Sequence, residues 1–505
     1  MAKQEVYRKP GMRLKADMSP LMHRYFHAST PGKGWKGCHL FDKAHTVMLA
    51  ERGIIPRPAG VAILRALRGM EAEGAREVRE RLGNHVHCGE AFVSETEGPD
   101  ISGWIHCGRS SGDLSAVSVR VDARDGALQV MGMLLDLRRQ FVDTAQRHVD
   151  TVMPGYTQLQ HAEPMTLGFY LMSCVHQFER DFARCEAAFR RINVSPAGCA
   201  ILTGTNFPID RERTRQLMGF DGLFQNARDA IWSTDHITEL LGAYMAIAAA
   251  LGRLADDLTI WHSSEFKMID LPDAYCGTSS IMPQKKNPYG TQTVRGLCGE
   301  VIGHAMAYMS QTTHQSDSCE MLTMAPSAMY GAEEKCLVMI EIMRDLVGGM
   351  EVDAGLMRKR AGMFWSQAAS LANEIVLARG IPFRHAHQIV AILVRRAIEA
   401  GAAPGDVDSR FLDEAATEFN GQPLRLDDAA IRKAMDPASI VQSKALAGGT
   451  AASVVRDDIR AARDRIAADQ SVLDGMLLRL READDLLESA IDRVLSGEAG
   501  AAEAG

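Results

Sequence analysis

Between Ile237 and Trp261 the apolar residues fall at Ile237, Leu240, Tyr244, Ile247, Leu251, Leu254, Leu258 and Trp261. Steps alternating between three and four are the mark of a heptad seam on a long helix. A second seam runs through Ile459, Ala462, Ile466, Asp469, Leu473, Met476, Leu480, Ala483, Leu487, Ala490 and Val494. It predicts a long C-terminal helix with one aspartate in its apolar line. Shorter stretches share the period: Val130, Leu134, Leu137 and Phe141, then Val294, Leu297, Val301, His304 and Tyr308. Gly and Pro punctuation predicts loops at Thr96 to Gly103, Leu271 to Pro288 and Gly401 to Asp408, with a turn at Met153 to Gly155. The last ten residues, SGEAGAAEAG, read as a frayed tail. Alternating β patterns are scarce, so the expected fold class is all-α. Long helices with narrow seams are seldom covered within one chain, and a bundle completed by further copies is expected.

Composition narrows this reading. The chain has 505 residues, enough for three or four domains at about 150 residues each. Hydrophobic residues make up 46% and aromatic ones only 6%, with 27 Met, which suits helix-to-helix packing better than a sandwich or barrel. The net charge of −8 does not suggest a nucleic-acid partner. Ten cysteines include no CxxC pair, the closest being Cys174 and Cys185, so they read as reduced, mostly buried thiols. The N-terminal MAKQEVYRKPGMRLKADM has charges throughout and does not resemble a secretory signal. The longest uncharged, mostly apolar run, Leu240 to Gly252, is short of the roughly 18 residues of a membrane span. A cytoplasmic protein without a membrane partner is expected.

The stretch richest in chemistry is Gly277 to Pro288, GTSSIMPQKKNP, a polar loop between helical segments. It resembles the signature loop of the aspartase/fumarase superfamily, and MPQKKNP is especially similar to argininosuccinate lyases. The resemblance extends to HCGRSSGD (His106 to Asp113), MPGYTQLQHAEP (Met153 to Pro164), LPDAY (Leu271 to Tyr275), RGIPFRHAH (Arg379 to His387) and AGGT (Ala447 to Thr450). These motifs occur in family order.

The resemblance implies a three-domain helical subunit: residues 1–115, a central long-helix domain 116–370 carrying loop 277–288, and a C-terminal domain 371–505 with an extended last helix. It also implies a homotetramer with a twenty-helix bundle and active sites shared by three subunits. The implied reaction is β-elimination beside a carboxylate, leaving fumarate or a relative, with no metal or organic cofactor. By motif position Ser279 is the base, Lys285 the cation facing the carboxylate and Asn287 a donor to it, while Ser280 and Lys286 are structural. Such a carbon acid needs a placed base and preorganised donors where the dianionic carboxylate develops. A neutral serine is a poor base, so Ser279 has to act as an alkoxide supported by backbone amides and a cation. Arg109, Ser110, Ser111, Thr157, Gln158 and Gln292 are the expected substrate contacts.

The pattern breaks where the leaving group is handled. The family's paired His and Glu are Gln158 and Gln292 here, and an amide is not a general acid or base in this pH range. The family's RSRND is RSSGD, placing Ser111 and Gly112 where an Arg and an Asn grip the substrate. After Pro326 to Ala328 the family's Tyr is Met329, followed by Gly331, Glu334 and Leu337 at positions that would meet the arginine part. A departing guanidine needs a proton, so a leaving group other than arginine is expected, or one protonated by another residue such as His161. The HVH run, His85 to His87, lacks a third metal ligand at legible spacing. Two rivals remain open: an ordinary argininosuccinate lyase and a catalytically silent relative.

Overall fold

The computed structural model describes residues 16, 19–21, 32–313 and 326–497. The sequence reading of the N-terminal stretch falls almost entirely outside the described residues, as do positions 498–505 of the expected tail. From Trp35 onward five helices come first: α1 (Trp35–Glu51), α2 (Arg57–Ala72), α3 (Ala75–Arg81), α4 (Cys88–Glu97) and α5 (Pro99–Ser102). The long α6 (Ser111–Arg147) leads into a hairpin of β1 (Val152–Thr157) and β2 (Gln160–Thr166), followed by α7 (Leu167–Ile192). After α8 (Arg211–Leu217) and α9 (Ala227–Trp232) come the bundle helices α10 (Asp235–His262), α11 (Tyr289–Gln311) and α12 (Pro326–Gly349). Short helices between Ala354 and Ser443 precede α13 (Ala452–Ser496).

The architecture is helical, as the heptads predict, and the strands among the described residues form only two-stranded pairs. The α10 seam from Ile237 to Trp261 is buried along its whole length. By length and composition alone that helix could cross a membrane, but its apolar line is packed against α7, α11 and α12. In α13 the buried positions follow the predicted seam, and its aspartate has a purpose: Asp469 accepts a hydrogen bond from the fully buried Arg138 of α6. Arg120 ends α7 by donating to the carbonyls of Arg191 and Ile192, both at 3.0 Å, satisfying groups that a helix terminus leaves open.

Two loop expectations change. Thr96 to Gly103 is mostly helical: α4 runs to Glu97, Gly98 breaks it at φ 90°, and Pro99 starts α5, where a missing N–H costs nothing. Met153 to Gly155 is strand, not turn, and the chain reverses at Gln158 and Leu159 instead. Proline is tolerated because a two-stranded ribbon is all edge, with Pro154 opposite Pro164. A side chain at Gly155 would meet the Glu163 carbonyl at 2.7 Å, so the strands need a glycine there.

One large core joins α6, α7, α10, α11, α12 and the first part of α13, while residues between Leu371 and Met435 form a separate core. The end of α13, from Leu487 to Val494, packs with α1 and the start of α6.

Candidate active site

The signature loop is a hairpin. Gly277–Thr278 pairs antiparallel with Lys286–Asn287, so residues 279 to 285 form its tip. A side chain at Gly277 would sit 2.1 Å from the Tyr289 ring, which explains a glycine at that position. The hairpin base is tied down at two points. Tyr275 donates to Asp345 of α12 at 2.6 Å, and Lys286 bridges Asp270 at 2.9 Å and Asp273 at 2.8 Å. Ser279 is half-buried at the tip. Its Oγ accepts the backbone N–H groups of Ile281 at 3.3 Å and Met282 at 3.1 Å. Two amide dipoles aimed at one hydroxyl oxygen favour negative charge on it. Lys285 is exposed and forms no ion pair among the described residues. Asn287 is held by its strand opposite Gly277. Gln292 lies exposed in the first turn of α11.

The second patch is the β1–β2 hairpin. Thr157 pairs with Gln160, leaving Gln158 and Leu159 as a two-residue reversal with φ of 54° and 58°. This left-handed pair is the geometry that Asn-Gly usually supplies, and non-glycine residues adopt it at a cost of about 1–2 kcal/mol each. Thr157 and Gln158 are exposed there. His161 lies on the following strand, with Tyr156 edge-on at 5.1 Å and Phe364 at 4.8 Å. Burial, with Arg360 adding to it, lowers the His161 pKa. A neutral imidazole is thus favoured at neutral pH, which weakens His161 as a replacement acid.

The third patch is the start of α6. Ser110 is its N-cap: the hydroxyl accepts from Gly112 N at 3.1 Å, and Asp113 accepts from Ser110 N at 2.9 Å, closing a capping box. Asp113 also accepts from Gly198 N at 3.0 Å. Ser111 is exposed, its Oγ 2.8 Å from His87 Nε2. Arg109 departs from the expected substrate contact. Its guanidinium points inward, pairing with Asp42 at 2.8 Å and lying over Phe41 with a 1% exposed side chain. Asp42, also held by Arg79, leaves that arginine as an anchor of the α6 entrance.

The substituted positions after Ala328 lie on α12. Met329 is buried in the core, Glu334 is exposed and Leu337 half-buried. Gly331 is where the His304 ring of α11 packs, since a Cβ there would come within 2.5 Å of it.

The first patch and the second lie at one end of the bundle. Phe266, just past α10, packs on Tyr156 at 5.9 Å, and Arg360 donates to the Glu265 carbonyl at 2.6 Å. Tyr308, near the end of α11, donates to Thr234 at the start of α10 at 3.0 Å, so α11 runs back to the opposite end. The Ser111 patch is at that opposite end, because α6 separates it from the β hairpin by 37 residues, or about 54 Å at 1.5 Å per residue. One chain therefore places the signature loop and the Gln158 hairpin at the same end of the bundle, and Arg109, Ser110 and Ser111 at the other.

Sequence reasoning did not find Glu90 and His106 as neighbours of His87. His87 and Glu90 are three apart, but His106 reaches them only through the fold, with its Nδ1 3.2 Å from Glu90 Oε2. Burial pushes the Glu90 carboxyl up, yet the hydrogen bonds and charges of His106 and His87 outweigh it and hold it at about 2.

Residues 63–303 match the family described as Lyase, and residues 365–442 match the family described as Argininosuccinate lyase C-terminal. The argininosuccinate lyase of Methanothermobacter thermautotrophicus is 36% identical over 428 residues, covering 83% of this chain and 91% of that protein. A crystal structure of EDDS lyase in complex with formate superposes with a TM-score of 0.87 at 28% identity, over 95% of this chain and 97% of that one. A variant EDDS lyase with bound fumarate gives 0.84 at 26% identity, over 95% of this chain and 99% of the other.

Proposed function

Because the chain belongs to the argininosuccinate lyase family of the aspartase/fumarase superfamily, we propose that it eliminates an amine from a succinyl compound other than argininosuccinate, releasing fumarate. Ser279 takes the proton from the carbon beside the carboxylate, and the C–H electron pair moves into that carboxylate as an aci-carboxylate. Lys285 and Asn287 stabilise the dianion. Its collapse forms the carbon–carbon double bond and breaks the C–N bond of a nitrogen that enters already protonated, so the electron pair leaves on nitrogen and a neutral amine departs. The single observation carrying this reading is the Ser279 oxygen, which already accepts two backbone N–H groups in a loop whose base is pinned. Those donors support the alkoxide that a serine base has to become.

The substrate is assigned by what is missing. General acid help contributes about 10²- to 10⁴-fold, and the amides Gln158 and Gln292 cannot give it. The leaving nitrogen is therefore one that departs as a weaker base than a guanidine. EDDS, the compound named for the neighbouring enzyme, is accordingly a first candidate.

A complete site requires several chains. Ser110 and Ser111 lie a helix length from Ser279, so in the proposed homotetramer, with each site shared by three subunits, the α6 entrance, the signature loop and the Thr157–Gln158 hairpin come from different copies. The exposed apolar stripe Ile302, Met306 and Met309 along α11 is consistent with such association. Arg109 contributes by holding the α6 entrance through Asp42.

The test follows fumarate by ultraviolet absorbance with argininosuccinate, EDDS and a panel of N-succinyl amines, using Ser279→Ala as control. Serine-dependent release from another amine, with argininosuccinate inert, is expected. Fast cleavage of argininosuccinate would overturn the substrate assignment and leave an ordinary argininosuccinate lyase, the reading favoured by the 36% identical relative. No serine-dependent fumarate from any of them, or in the reverse direction, would overturn the elimination itself. Gln158→His with Gln292→Glu is expected to raise argininosuccinate cleavage only if the remaining pocket binds it.

A further inference from the structure

We propose that His87, Glu90 and His106 form a binding site for one divalent cation of the zinc class, with His87 Nδ1, His106 Nδ1 and Glu90 Oε2 as ligands. Their ligand atoms lie within 4.8 Å of one another. Both imidazole Nδ1 atoms converge on the same carboxylate oxygen, at 3.4 Å from His87 and 3.2 Å from His106. Direct charge-assisted N–H to carboxylate bonds close to about 2.7–2.9 Å. A tetrahedral ion with ligands at about 2.0–2.1 Å instead holds them roughly 3.3 Å apart, the spacing found here between each imidazole and the carboxylate.

The backbone fixes this spacing from two independent elements. His87 is the N-cap of α4 and Glu90 lies in its first turn, while His106 closes the 3₁₀ turn Gly103–His106. The site also has the outer support that metal-bound imidazoles need: His87 Nε2 lies 2.8 Å from Ser111 Oγ, and an N–H donated there places the ring's lone pair on Nδ1, on the Glu90 side. Side-chain exposure rises from 7% at His87 through 19% at Glu90 to 36% at His106. The remaining coordination positions therefore open toward solvent on the His106 side. Two imidazoles and one carboxylate suit Zn²⁺, Co²⁺ or Ni²⁺ and not a hard oxygen-loving ion. Because His87 holds Ser111, cation occupancy would set the orientation of a residue at the α6 entrance. The assignment stands on the ligand geometry and does not depend on the elimination chemistry.

The full-length protein, stripped with a chelator, is titrated with Zn²⁺ by calorimetry and with Co²⁺ by visible absorption. One equivalent per chain and the bands of a four- or five-coordinate Co²⁺ are expected. Glu90→Gln and His106→Gln, both at sites open enough to leave the fold intact by circular dichroism, are expected to weaken binding at least 100-fold. Ser111→Ala is expected to weaken it about tenfold or more. Wild-type uptake no tighter than that of the two ligand variants would overturn the site, whatever the turnover assays give.

Discussion

The Oγ of Ser279 accepts the backbone N–H of Met282 at 3.1 Å. That bond stabilises negative charge on the oxygen. Ser279→Ala is expected to lower kcat by at least about 10²- to 10⁴-fold. The residue is only half-buried in a hairpin pinned elsewhere, so the thermal midpoint is expected to stay within about a degree. Steady-state fumarate formation and a melting curve on one preparation check both. An alanine variant that turns over normally would remove Ser279 as the base.

Arg138 is fully buried, and Asp469 of α13 meets its Nη1. Removing one partner of such a pair strands a buried charge, at a cost of about 3–5 kcal/mol, reduced where the other partner is partly open. Asp469→Ala is expected to cost about 3 kcal/mol by denaturant unfolding. Replacing both residues, with Arg138→Met and Asp469→Leu, is expected to recover most of that loss. A single variant as stable as wild type would show that water or Glu179, 3.9 Å from Nη2, satisfies the guanidinium.

Asp113, in the capping box of α6, is raised by burial from the usual 3.8 to about 6, despite hydrogen bonds from Cys199, Ser110 and Gly198 that pull the other way. A carboxyl that holds its proton more tightly when folded favours the folded state most below its unfolded value. That advantage is lost as pH rises to and through about 6. In Asp113→Asn the contribution is absent. The stability difference between variant and wild type is expected to move by about 2 kcal/mol in the variant's favour between pH 4 and 7. A constant offset from the altered cap will not mask this slope. Parallel pH–stability curves would contradict it.

Much of the helical frame was legible from spacing. The α10 and α13 seams are buried as read, and Asp469 stood out as the one polar residue in its line because a heptad exposes any exception. The β1–β2 hairpin was not legible, since Gln158 and Leu159 are among the least expected residues for a left-handed reversal and two prolines obscure the strands. At the site, GTSSIMPQKKNP marked its own loop, but sequence could not show that Ser279 faces two amides. Arg109 was read as a substrate contact from its motif position, which says nothing about burial; its partner, Asp42, lies 67 positions earlier in the sequence. Glu90 and His106 were not linked by the sequence, because only the turn after α5 brings them together.

The length of α6 has a consequence for how the protein is handled. If the catalytic centre is stitched from opposite ends of different copies, the number of working centres is itself a binding equilibrium and obeys mass action. Specific activity then depends on enzyme concentration, falling on dilution below the dissociation constant of the assembly and recovering on reconcentration. A preparation can lose its rate while every chain in it remains folded.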